Sequence, residues 1–368
     1  MGGRTLDPTK THRLNVARSM RDEMDFCSRY GKLGKRRTLG RVGRELIDSF
    51  GRVHRDLRIS ITDRCNFRCA YCMPEEGMTW LPREELLTYE EIERIARVLV
   101  ERYDFDSIRL TGGEPMIRHN LPVLVDKLSN LGVDLAITTN GATLAGAAAD
   151  LVEAGLKRIN ISLDSLQADR FFELTRRDEL TKVLDGIDAA VAAGLDPVKL
   201  NCVLMAGIND DEIVDFIDFG REKGVSVRFI EFMPLDADAS WSIDRVVAQA
   251  DILHAVAEVH PFTAVARNND PASRFVFDDG IGDFGVIATV TDQFCDSCDR
   301  VRLTADGQFR NCLFATDETD LRALMRNGIS DDDLAAVFER SVGEKWAGHQ
   351  VNNVLFIRPK RSMSQIGG

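Results

Sequence analysis

No uninterrupted apolar run in this 368-residue sequence approaches the roughly 18 residues that a membrane span requires. The longest apolar stretches have the length of single strands, and no secretory h-region is present. No segment is low in complexity and no repeat of fixed period stands out, which argues against a solenoid or an array. Histidine is scarce, at 6 residues, and none lies between His54 and His119 or between His260 and His349. Each of those two gaps holds a group of cysteines. Neither group therefore has a histidine close in sequence to complete a zinc site.

What is present is the composition of a globular enzyme, 44% hydrophobic and 29% charged. The length suggests about two to three structural units. The net charge of −12 is unevenly spread. Residues 1–55 hold 14 Lys/Arg and 6 Asp/Glu, a balance of +8, which leaves −20 for the rest. So acidic a body does not attract nucleic acid through its general field, although a local convergence of cations can still bind a phosphorylated small molecule. The basic extension reads as a solvated, partly helical arm. A mitochondrial transit peptide is the alternative, weakened by Asp22, Glu23 and Asp25. With no membrane segment or secretory signal, a cytoplasmic location is expected.

The 8 cysteines are not spaced like a secreted disulfide framework. Six form two tight groups, Cys65, Cys69 and Cys72, then Cys295, Cys298 and Cys312. In a reducing compartment such grouping favours metal ligation. Cys27 in the extension and Cys202 in an apolar strand are expected to be bystanders.

Short strand patterns at 56–62, 107–112, 134–140, 158–164, 198–205 and 225–233 alternate with amphipathic segments at 89–102, 119–131, 144–154, 180–193 and 210–223. Six such units predict a parallel sheet with right-handed crossovers. Strands buried on both faces should be continuously apolar, yet several here alternate. Arg58, Ser60 and Thr62 share one face of the first strand, and Arg109 and Thr111 one face of the second. Asn160, Ser162 and Asp164 follow on the fourth, and Lys199 and Asn201 on the fifth. The apolar faces can meet the helices, so the polar faces must share an interior. Buried cations without partners are prohibitively costly, and that interior is read as a ligand cavity. After Met233 the pattern turns irregular, with a linker at 234–240 and a smaller α+β region beyond. The expected domains are a basic extension (1–54), a barrel (55–234) and a C-terminal region (235–368).

Cys65, Cys69 and Cys72 form C-x3-C-x2-C just past the first strand. Three thiolates can hold three irons of a 4Fe–4S cube and leave the fourth open, whereas a structural zinc needs a fourth ligand. Gly112-Gly113-Glu114-Pro115 ends the second strand, at the edge where parallel barrels place their sites. There glycine permits close approach of a ligand, and Glu114 can accept from an ammonium. The second group is C-x2-C-x13-C. Asp306-Gly307 is a hairpin signal that returns Cys312 towards Cys298, and Arg300 and Arg302 share a strand face with Cys298.

The first cysteine motif, with Tyr71 before its last cysteine, resembles the radical S-adenosylmethionine (SAM) superfamily. The resemblance implies a partial (βα)6 TIM-like barrel, α/β in class, with a smaller C-terminal α+β region. It implies SAM chelated by the open iron, a 5′-deoxyadenosyl radical as the reactive species, and SAM contacts at Tyr71, Gly113, Ser162 and Met233. The second cysteine group, C-x-R-x-R at Cys298–Arg302, the stretch Arg55–Pro74, Arg228–Met233 and the terminal Gly367-Gly368 narrow the match. Over about residues 51–368 they resemble the GTP 3′,8-cyclase family of molybdenum cofactor biosynthesis. That resemblance implies two 4Fe–4S clusters and GTP contacts at Arg58, Arg109, Thr138, Lys199, Arg300 and Arg302. It also implies a Gly367-Gly368 tail that assists radical initiation. Implied partners are a flavodoxin- or ferredoxin-like electron donor and the cyclic pyranopterin monophosphate synthase that takes the product; homodimerisation is left open. Ser107 departs from some relatives, which carry a lysine there. Competing readings are a radical SAM enzyme with another substrate and a non-catalytic iron–sulfur sensor.

Overall fold

The computed structural model describes residues 44–74, 78–236, 240–267, 269–351 and 356–367. Cys27, Gly368 and most of the basic extension lie outside that set. Six strands open the fold: β1 (Asp56–Ser60), β2 (Ser107–Thr111), β3 (Asp134–Thr139), β4 (Arg158–Ser162), β5 (Val198–Leu204) and β6 (Ser226–Glu231). Between them run α1 (Tyr89–Tyr103), α2 (Leu121–Ser129), α3 (Ala148–Glu153), α4 (Ala168–Thr175), α5 (Leu180–Ala192) and α6 (Ile213–Lys223). Each strand pairs in parallel with the next. The alternation predicted from periodicity is therefore present. α4 is an addition, a short helix anchored by buried Phe171 and Leu174 at i, i+3.

The helices form for local reasons. Thr88 caps α1 by accepting from the Glu91 N–H, and the Glu91 carboxylate returns to the Thr88 N–H. Ile92, Ile95 and Leu99 then fall on one buried stripe. They pack over the outer strand face, where Leu57, Ile59, Ile108, Leu110, Ile137, Ile159, Ile161 and Leu200 are sealed from solvent. The inner face differs. Along β5, Val198, Leu200, Cys202 and Leu204 are buried while Lys199, Asn201 and Val203 are half-exposed. A packed barrel core would seal both sets. On β1 and β4 the polar side is enclosed, with Arg58 6%, Ser60 1% and Asn160 2% exposed.

The region after residue 240 does not stand apart. α7 (Gln249–Ala257) precedes β7 (Phe262–Val265), β8 (Ser273–Phe277), β9 (Asp283–Ile287), β10 (Arg300–Leu303), β11 (Gln308–Arg310) and β12 (Thr319–Asp320). Then come α8 (Leu321–Arg326), α9 (Asp331–Gly343) and α10 (Met363–Ile366). The strand order is β12-β11-β10-β1-β2-β3-β4-β5-β6-β9-β8-β7. β10 joins β1 in parallel and β9 joins β6 in parallel, so the parallel core has eight strands where six were expected. A six-stranded partial barrel would leave rows of unpaired backbone groups on β1 and β6. The late strands cover both edges. Gly285 on β9 allows this, because a Cβ there would stand 2.9 Å from Cδ of Arg228.

Candidate active site

The first cysteine loop leaves β1 and lies directly on the turn after β2. A Cβ on Gly113 would overlap the Arg64 carbonyl oxygen and stand 2.6 Å from that of Asp63, and one on Gly112 would stand 2.6 Å from the Thr62 carbonyl oxygen. The Gly113 N–H donates to Thr62 O (2.7 Å) and the Glu114 N–H to Arg64 O (2.8 Å). The glycines thus admit the backbone of the cysteine loop, where the sequence suggested a ligand. Glu114 is anchored by the protein itself. Its buried carboxylate accepts from the Met116 N–H (2.9 Å), Thr139 Oγ1 (2.7 Å) and the Asn140 N–H (2.6 Å). It joins the ends of β2 and β3, and burial pushes it up to about 7.

Cys65, Cys69 and Cys72 are all free and half-buried on this loop. Burial raises all three thiols, Cys65 to about 11 and Cys72 to about 12; Glu114 adds to the rise at Cys65, and neighbouring sulfurs add to it at Cys69 and Cys72. Among the described residues no three Cys, His, Asp or Glu side chains converge on one metal-ion position. A cube takes one thiolate per iron, and the free thiols of this loop are the donor type it uses.

The second group is built by the predicted hairpin. Cys295 opens a short 3-10 turn and Cys298 lies two residues before β10. Cys312 lies two residues past the end of β11, whose Arg310 pairs with Arg302 on the antiparallel β10. Burial pushes Cys298 up, but Arg300 and Lys345 outweigh it and bring the thiol down to about 7. Donor type and surroundings suit a second cluster.

Strand register also sets a row of cations. Arg302, Arg58 and Arg109 stand side by side on β10, β1 and β2. Thr138, Asn160 and Lys199 stand side by side on β3, β4 and β5. Arg58 donates to Asp56 Oδ2 (3.0 Å), so the row has one counterion at its base. Nε of Arg109 has no hydrogen-bond partner among the described residues. Burial, then Arg58, pushes Arg109 down; burial, then Arg228, pushes Lys199 down to about 8. Arg300 lies 4.7 Å from the Phe294 ring centroid.

Two charged groups here escaped the sequence reading. Arg228, 3% exposed, is opposite Asn201 and two residues from Ser226, so it lies on the same face as Lys199. Period two along β6 would have revealed it. Asp270, in the β7–β8 loop, offsets Lys199, Arg228 and Arg109 electrostatically. Nothing in its local sequence signals this.

The positions matched to SAM lie at the carboxyl ends of the strands. Tyr71 donates to Asp164 Oδ2 (2.6 Å), whose Oδ1 accepts from the Val203 N–H (2.8 Å). Ser162 ends β4, and Met233 follows β6 by two residues. The tail reaches this interior as well. Gly367, with φ +86°, is wedged where a Cβ would meet Thr111 Cγ2 at 2.8 Å and Ser60 Cβ at 3.0 Å. Both neighbours are on the polar faces of β1 and β2.

Comparisons with known proteins agree with this geometry. Residues 59–220 match the Radical SAM superfamily and residues 225–351 match Molybdenum Cofactor Synthesis C. The chain is 47% identical over 339 residues to GTP 3′,8-cyclase of Streptomyces coelicolor, covering 90% of this chain and 99% of that one. It is 47% identical over 332 residues to GTP 3′,8-cyclase 2 of Mycobacterium tuberculosis, covering 88% and 92%. Among solved structures, Streptococcus suis SuiB bound to S-adenosylmethionine aligns with TM-score 0.54 at 15% identity, covering 77% of this chain and 68% of that one. At that identity the likeness shows the fold alone. These relatives are bacterial, which leaves the mitochondrial reading of the extension unsupported. No described helix is long and apolar enough to cross a membrane. Two thiol triplets, an interior row of cations and near half identity over nine-tenths of the chain place this protein in the GTP 3′,8-cyclase family of radical SAM enzymes.

Proposed function

We infer that this chain converts GTP to (8S)-3′,8-cyclo-7,8-dihydroguanosine 5′-triphosphate in molybdenum cofactor biosynthesis. The observation that carries this reading is the in-register row of Arg302, Arg58 and Arg109 on the polar faces of β10, β1 and β2. A triphosphate is the natural complement of converging guanidinium and ammonium groups in an otherwise acidic body.

SAM and a reduced 4Fe–4S cluster at Cys65, Cys69 and Cys72 supply, when bound, a 5′-deoxyadenosyl radical that removes a substrate hydrogen. The chain's own groups hold and orient. Gly113, Tyr71, Ser162 and Met233 form the SAM side. Arg58, Arg109, Lys199 and Arg228 hold the triphosphate, and Thr138 lies beside them. Arg300 and Arg302, with the second cluster at Cys295, Cys298 and Cys312, receive the guanine. Loss of the ribose C3′ hydrogen followed by C3′–C8 bond formation leaves the purine one electron and one proton short of the 7,8-dihydro product. A reductant is therefore required, and a flavodoxin- or ferredoxin-like donor supplies it.

The product passes to the cyclic pyranopterin monophosphate synthase, and a homodimer is the assembly to test. Gly367 and Gly368 assist initiation from the tail, Gly368 lying outside the described residues. Residues 55–234 act as the radical SAM barrel, and 235–368 carry the second cluster and the Gly367-Gly368 tail.

The test is SAM cleavage under anaerobic, reducing conditions with each nucleoside triphosphate in turn. A site that hydrogen-bonds a base edge discriminates by about 10⁴ or more. GTP, and not ATP or CTP, should support 5′-deoxyadenosine formation coupled to cyclisation. Equal turnover with ATP overturns the assignment.

A further inference from the structure

Behind the second cysteine group lies an enclosed polar knot that no step above uses. Lys345, two residues past the end of α9, is 4% exposed. Its Nζ lies 2.9 Å from the Arg300 carbonyl oxygen, 2.8 Å from Nε2 of His54 and 3.5 Å from Sγ of Cys298. Lysine only donates, so Nε2 of the sealed His54 accepts. One remaining N–H falls on a thiol.

Three features argue against packing as the reason for this lysine. Burying an amine is costly unless every N–H is matched. No carboxylate lies within ion-pair distance of Nζ among the described residues; the nearby Asp48 is engaged by Arg52 at 2.5 Å. The segment that carries Lys345 is also fixed in place, since Arg52 donates to the carbonyls of Trp346 (2.5 Å), Ala347 (2.6 Å) and Cys295 (2.8 Å). The amine is held where its sulfur contact is made.

We propose that Lys345 is an outer-sphere positioning residue for the second cluster, its N–H on the Cys298 sulfur raising the cluster's reduction potential. Hydrogen bonds to cluster sulfurs draw electron density from the thiolate and favour the more negative, reduced state. The proposal rests on the reading of Cys295, Cys298 and Cys312 as cluster ligands. Among the described donors to the three, Lys345 is a side chain that can be replaced without touching a ligand or either Arg300 or Arg302.

The test uses the reconstituted full chain with Cys65, Cys69 and Cys72 replaced by Ala, so that only the second cluster reports. Iron content is measured first, then the midpoint potential by EPR-monitored titration. Lys345→Met should load the same iron and titrate at a more negative potential, and Lys345→Arg, which keeps an N–H donor, should lie closer to the parent. Independently, ¹⁵N-lysine labelling should give a nitrogen coupling to the reduced cluster that Lys345→Met removes. An unchanged potential in the loaded Met variant overturns the proposal. So does absence of lysine coupling in the parent, which decides the matter even if the Met variant fails to load. A parent protein without iron at this site instead removes the cluster reading, and the proposal with it.

Discussion

Nη1 of Arg302 donates to the carbonyl of Gly367 at 2.8 Å, tying the end of the chain to the strand that covers the free edge of β1. The same hairpin grips the tail a second time. Asp306, at its turn, pairs with Arg361 at 2.8 Å, and Glu318 pairs with Arg361 at the same distance. The tail is thus held at two points by the hairpin that precedes Cys312.

Gly367→Ala should abolish most SAM cleavage while both clusters and GTP affinity persist, because a Cβ cannot fit between Thr111 and Ser60. Arg361→Ala should give a milder version of the same loss by releasing the upstream clamp. Iron content, GTP binding and 5′-deoxyadenosine are measured together. Full activity in Gly367→Ala would return the tail to an ordinary chain end.

Gly113→Ala should strip the first cluster specifically. The added methyl must displace the backbone at Asp63 and Arg64, immediately before Cys65. Iron per chain after anaerobic reconstitution should drop from about eight to about four. Retention of all the iron contradicts the close packing of the two loops.

Arg109→Ala separates a ligand cavity from a packed ionic core. Without ligand the change should be neutral or mildly stabilising, since it relieves repulsion from Arg58. GTP binding should weaken by about 1.5–3 kcal/mol, the range for a charged hydrogen bond. Thermal melts with and without GTP distinguish this from a core role, for which both states would lose several kcal/mol. GTP should raise the melting temperature of the parent more than guanosine does, and less so at high salt.

Lys199 sets a pH window. Its amine is pushed down to about 8 by burial and then by Arg228, against about 10.4 in an unfolded chain. Between those values the unfolded chain binds more protons, so the destabilisation is full below the window and fades as pH rises through it. A bound triphosphate favours the ammonium, and the GTP-induced melting shift should shrink from about pH 7 to about pH 9.5. Lys199→Met should raise the ligand-free melting temperature at neutral pH and flatten that dependence. A parent shift that stays constant with pH would place Lys199 away from the phosphates.

Strand periodicity and cysteine spacing determined a great deal before any folding was known. Period two separated Arg58, Arg109, Asn160 and Lys199 from their apolar neighbours, and the parallel sheet put those residues on one interior face, because side-chain direction is a local property of a strand. Both thiol triplets were likewise legible, since each lies within a short stretch of chain. What remained hidden depended on contacts between distant segments. The register that sets Arg302 beside Arg58 and Arg109 exists only because β10 covers the open edge of β1. Gly112 and Gly113 are called for by a neighbouring loop, and Glu114 by donors from two separate segments, none of which local pattern can reveal. Asp270 over the cations, and Lys345 on the Cys298 sulfur, were decided by tertiary structure alone. Charge and hydrogen bonding act through space, and sequence separation carries no trace of them.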